Sequence, residues 1–72
     1  MTLDMVHRGE RVRILNIGDP QVRIQAIRFG IGEGSDVQCA EKLPSGPIVL
    51  RRGRQEIAIG RGIARNIAVE AY

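Results

Sequence analysis

The sequence predicts a small, partly open antiparallel β-barrel of about five strands with one short helix inserted after the first strand. Three observations predict it. Segments with a two-residue apolar period recur through the 72 residues, broken by glycine and proline turns. A single stretch, "DPQVRIQAIRFG", shifts to a helical period. The chain is also short enough to bury only about 60% of the surface its unfolded form exposes, so one domain over residues 1–72 is the whole allowance.

The first strand is "RVRILNIG", where Val12 and Ile14 alternate with Arg11 and Arg13 before the pattern slips at Leu15 and Ile17. Such a slip suits a bulge of the kind that bends small barrels. In the helix, Asp19 is the expected cap and Pro20 fits the first helical position. Val22, Ala26 and Phe29 fall on one side as the apolar stripe, with Ile27 widening it. Ile24 projects away from that stripe and is expected to be exposed.

From Val37 the two-residue period returns in "VQCAEKL", pauses at "PSGP" and continues in "IVLRR". Arg52-Gly53 reads as a tight hairpin turn leading to "QEIAIG". After a single helical turn in "GRGIAR", the strand "NIAVEA" closes the domain.

The run "RFGIGEGSDV", with Gly30, Gly32 and Gly34, invites a phosphate-loop interpretation. Phosphate loops pass from a strand through glycines into a helix N-terminus, whose free N–H groups hold the anion. Here the helix comes first and the strand second, and Glu33 would repel a phosphate. Gly30 is therefore expected to end the helix in a left-handed conformation, with Ile31 making the accompanying apolar contact. Gly32 and Gly34 turn the chain into the next strand.

A single cysteine, Cys39, excludes an intrachain disulfide and fits a reducing, cytoplasmic setting. The amino end lacks a signal-peptide pattern, and no segment has the length of a membrane span. The formal charge of +3 is carried almost wholly by arginine, Lys42 being the one lysine. Arginine suits bidentate contacts with carboxylates and phosphates, so an acidic partner surface is compatible with this composition. His7 and Cys39 are too few and too far apart to supply a transition-metal site, and no high-affinity iron site is expected in one chain. The lone histidine likewise has no recognisable nucleophile or acid partner, so no cofactor and no enzymatic activity are expected.

The order of motifs, "ILNIG", a helix ending in "FGIGEGSDV", "PSGPIVLRRGRQEIAI" and "NIAVEAY", resembles the ferrous iron transport protein A (FeoA) family. Gly30, Gly34-Ser35, Pro44, Gly46, Pro47 and Ile67 to Glu70 carry the resemblance over nearly the whole chain. Phe29, Gly32 and Ile24 depart from the usual residues at their positions. The resemblance implies an SH3-like barrel, similar to the carboxy-terminal module of DtxR-like metal-dependent repressors. It further implies a cytoplasmic accessory that binds and modulates FeoB, the ferrous iron transporter. Ile24, Arg28, Ile31, Pro44, Pro47, Arg52 and Arg54 are the expected partner contacts, with weak self-association left open. An arginine from the hairpin, Arg52 or Arg54, entering the transporter's nucleotide site in trans is the one catalytic role weighed; a solvated turn is the plainer reading. The alternative function is a basic barrel that binds nucleic acid or serves as a regulatory module in metal-dependent transcription control. Only Phe29 and Tyr72 are aromatic, which gives such a surface few stacking platforms.

Overall fold

A computed structural model describes residues 1–72. Its elements are a 3₁₀ turn at Leu3–Met5, β1 (Arg11–Ile17), α1 (Pro20–Arg28), β2 (Asp36–Lys42), β3 (Ile48–Arg52), β4 (Gln55–Ile59), α2 (Arg61–Ala64) and β5 (Ile67–Ala71). The five strands form one antiparallel sheet in the order β4-β3-β2-β1-β5. Its ends do not pair with each other, so the SH3-like fold is an open one.

Two bulges bend the sheet around its core. In β1 the register to β5 slips between Ile14 and Asn16, leaving Leu15 as the extra residue. The slip resets the alternation, so that Val12, Ile14 and Ile17 all point inward while Leu15 faces solvent. A second slip at Ala40 separates Cys39↔Leu50 from Glu41↔Val49. Sixteen residues are buried, every one apolar, and they form a single cluster to which each strand and α1 contribute.

α1 starts and stops as its sequence dictates. The Asp19 carboxylate accepts from the N–H groups of Gln21 (2.8 Å) and Val22 (3.4 Å), and Pro20 opens the helix. At the other end Gly30 has φ +79°, its N–H donates to Ile27 O (2.9 Å), and the Ile31 N–H donates to Ala26 O (2.9 Å). Those two bonds form a complete Schellman motif. A Cβ on Gly30 would meet nothing nearer than 3.6 Å, so the glycine is required for its backbone conformation, not for space. Gly30→Ala is expected to cost about 1–2 kcal/mol, read as a lower urea midpoint with an unchanged m-value.

The structure corrects the expected helix stripe. Only Val22 and Ala26 of α1 are buried. Ile27 is 61% exposed, because it lies more than a quarter turn from the stripe. Phe29 is 38% exposed: as the C-cap it leaves the helix, and helical projection no longer positions it.

The β3–β4 turn also sits one residue later than expected. Arg52 pairs with Gln55, and Gly53-Arg54 form the two-residue loop. Gly53 at φ +60° takes the first loop position, as a type II′ turn demands.

The amino end is part of the sheet. Thr2 bridges Ala68, and the Val69 N–H donates to Met1 O (2.8 Å), covering the outer edge of β5. Leu3 and Val6 enter the core beneath this segment.

Candidate functional site

α1 turns an apolar face outward. At 100° per residue Pro20, Ile24, Ile27 and Arg28 occupy the side opposite Val22 and Ala26. All four are exposed, with Ile24 at 56%. Ile24 and Ile27, three residues apart, are neighbours on the helix surface. The exposure of Ile24 follows from its position in the helical period, whereas Ile27, expected in the buried stripe, joins this surface instead.

The β3–β4 hairpin is tied to the end of that helix. The Arg52 guanidinium donates to the Gly30 carbonyl, joining a strand end to the turn that terminates α1. Cations are favoured there, where the helix presents unpaired carbonyls and the negative end of its dipole. Arg28 in the last helical turn shares this field, and Arg54 projects from the hairpin loop with no carboxylate partner. Ile24, Arg28, Arg52 and Arg54 thus belong to two elements held together by a specific contact.

The other expected contacts lie elsewhere. Ile31 is 0% exposed: the Schellman turn that fixes its backbone drives its side chain into the core, so it is no surface residue. Pro44 and Pro47 sit in the β2–β3 loop, at the opposite end of β3 from Arg52, roughly 17 Å away along an extended strand. That loop is fastened by Arg61, which donates to Gly46 O (2.9 Å) and Leu43 O (2.7 Å). The two prolines shape a separate, braced turn.

On the outer face of the sheet the Arg13 guanidinium donates to Asp36 (2.8 Å) and lies 5.0 Å from the Tyr72 ring centroid. The hydrogen bond from Arg13 holds the Asp36 carboxyl below the usual carboxylate range. Tyr72, one residue past β5 and 58% exposed, thus has a specific partner in Arg13, although sequence patterning marks it only as a terminal aromatic.

No three histidine, cysteine, aspartate or glutamate side chains converge into a group that could hold a metal ion. His7 is exposed. Cys39 is buried between strand neighbours, and burial pushes its thiol pKa up, which disfavours the reactive thiolate. No helix is long and apolar enough to cross a membrane.

An open five-stranded sheet with one capped helix and an arginine-bearing hairpin defines a small SH3-like domain whose candidate site is a surface, not a cleft. A family model described as "FeoA domain" matches residues 1–71, and the chain belongs to the FeoA family. Membership associates it with ferrous iron transport.

Solved structures agree. A crystal structure of an iron uptake regulatory protein, FeoA, is 29% identical, with TM-score 0.91 over 100% of this chain and 97% of that one. An NMR structure of a FeoA-like protein from Clostridium acetobutylicum is 25% identical, with TM-score 0.86 over 99% of this chain and 85% of that one. The zinc-bound protein ScaR shares the fold, with TM-score 0.90 at 20% identity, and this chain covers 37% of it. Among curated protein sequences none matches the chain.

Proposed function

We propose that this domain is an accessory of ferrous iron uptake that docks on the cytoplasmic side of the FeoB transporter and modulates it. The outward face of α1 supplies apolar contact area, and Arg28 and Arg54 orient the docking. The observation that carries this reading is the exposed Ile24–Ile27 pair beside a hairpin held against the helix by Arg52. FeoB as the partner rests on family membership.

An amide-resolved NMR titration with the soluble nucleotide-binding domain of FeoB tests it. A single-stranded oligonucleotide run in parallel tests the basic-barrel alternative. Shifts confined to α1 and the β3–β4 hairpin are expected with the transporter domain and not with the oligonucleotide. Burying one isoleucine contributes about 1.5–3 kcal/mol. Ile24→Asp is accordingly expected to weaken docking by roughly tenfold or more while leaving the fold intact, because the side chain faces solvent. Arg54→Glu is the cleaner charge variant, since Arg52 also braces Gly30. Unchanged affinity in both variants discards this surface.

A further inference from the structure

The sheet has two unlike edges. The outer edge of β5 is covered by the amino end, through Thr2 and through the Val69 N–H on Met1 O. β4, at the other edge, pairs only with β3. The hairpin decides which of its backbone groups are left over. Around a two-residue loop the flanking residues, here Arg52 and Gln55, form a hydrogen-bonded pair, and such pairs alternate along the ladder. Gln55, Ile57 and Ile59 therefore direct their N–H and C=O groups to β3, whereas Glu56 and Ala58 direct theirs outward. Both residues are exposed, and no turn, loop or cap takes up either backbone.

Nothing in β4 blunts this edge. Native edges are commonly protected by proline, lysine, a bulge or an inward-pointing charge. The strand reads QEIAI, with the uncharged Gln55, Ile57 and Ile59 on the inner side. Its register with β3 runs unbroken from Arg52↔Gln55 to Ile48↔Ile59, whereas the β1–β5 and β2–β3 ladders are both interrupted.

We infer that β4 is a self-pairing edge, at which two copies of this chain join antiparallel about a two-fold axis at Ile57 and merge their sheets. The strand's own sequence selects a second copy as the occupant and fixes the register. With Ile57 opposite Ile57 of the second copy, Glu56 meets Ala58 and Ala58 meets Glu56, so the outward groups of both strands are satisfied in two hydrogen-bonded pairs. Each Glu56 then faces a small neutral residue, and its charge is already matched by Arg51 at 2.7 Å. Sliding the strands two residues one way sets Glu56 against Glu56, which like charges oppose. Sliding them the other way sets Ala58 against Ala58 and carries Glu56 to Gly60, beyond the strand end. On the inner side the central pair joins two half-buried Ile57 side chains, each packed against its own core. Two five-residue strands bury well under the roughly 1,200 Å² of a stable complex. The pairing is therefore transient and concentration-dependent. It uses neither Ile24 nor Arg28, and does not depend on which protein meets α1.

The test is NMR on the full chain from micromolar to millimolar concentration. Translational diffusion is expected to slow, and the amides of Glu56 and Ala58 to shift, as concentration rises. Ala58→Pro removes an N–H that β3 does not use, at an edge position where proline is tolerated, and is expected to fold and stay monomeric. Ala58→Lys and Ala58→Glu test the register, because the exposed side chain at 58 lies across from Glu56 of the second copy. Lysine is expected to tighten the pairing about two- to tenfold, two such pairs being formed, and glutamate to weaken it by a similar factor. This comparison decides the matter even if the proline variant fails to fold. The inference is overturned if diffusion and shifts stay constant up to millimolar protein, if the concentration-dependent shifts map to α1 or to the outer face away from β4, if Ala58→Pro self-associates like the unaltered chain, or if lysine and glutamate act in the same direction.

Discussion

Replacing Ile31 with alanine is expected to lower the unfolding free energy by about 2–5 kcal/mol, the range for truncating a fully buried isoleucine. Ile31 is 0% exposed and belongs to the one core cluster of the domain. Its N–H closes the Schellman motif on Ala26, itself buried, so the side chain is held where the helix end meets the sheet. The surroundings are poorly placed to collapse into the cavity, because the backbone on both sides is pinned by Gly30 and by the Gly32–Ser35 turn, where the Ser35 N–H donates to Gly32 O (3.0 Å). Domains of this kind carry about 5–15 kcal/mol of stability in all, and a small one sits toward the lower end. The variant should therefore approach its unfolding midpoint without denaturant. Urea unfolding followed by circular dichroism measures this directly, with Ile31→Val as a milder control at about 0.5–1.5 kcal/mol. A surface contact residue would behave differently: its truncation would leave stability within about 0.5 kcal/mol and weaken only partner binding.

Ile31 also shows where sequence patterning succeeds and where it stops. The helix cap, the left-handed Gly30 and the strand alternation are local: each depends on a few adjacent residues whose preferences agree, and each appears where the pattern places it. The surface assignment of Ile31 fails because exposure is set by what packs from outside the segment. A residue that follows a helix cap is carried inward only if a sheet lies there to receive it. Phe29 and Ile27 err in the opposite direction for a related reason. A periodic projection presumes a wide buried stripe, whereas a nine-residue helix on a small sheet buries only Val22 and Ala26.

The candidate site divides along the same line. The exposure of Ile24 is a local property of the helical period, and it was legible. The contact between Arg52 and Gly30 joins residues 22 apart, and the Arg13–Asp36 pair spans 23. No short-range pattern specifies such meetings. The Arg13–Tyr72 contact likewise exists only once β1 and β5 are in register. Alternating arginines in "RVRIL" do show which side chains share a face, but not what lies across from them.

The amino end supplies the second large effect. Leu3→Ala is expected to cost about 2–5 kcal/mol, although "MTLDMVHRGE" has neither strand alternation nor a helical stripe. Leu3 and Val6 are both 0% exposed, and the single 3₁₀ turn between them, closed by the Val6 N–H on Leu3 O (3.2 Å), is what lets both side chains reach the core. The same segment covers the edge of β5 through Thr2 and through the Val69 N–H on Met1 O. Leu3 thus anchors an edge cover as well as filling volume, and exposed strand edges invite pairing with other chains. Amide hydrogen exchange distinguishes the two ways of losing it. Because Leu3 shares one contiguous cluster with the strand residues, protection at Val69 and at Cys39, whose N–H donates to Glu10 O in the middle of the sheet, should fall together in the variant. Faster exchange at Val69 alone would mean that the amino-terminal segment opens as an independent flap, and that the sheet beneath it is stable without Leu3.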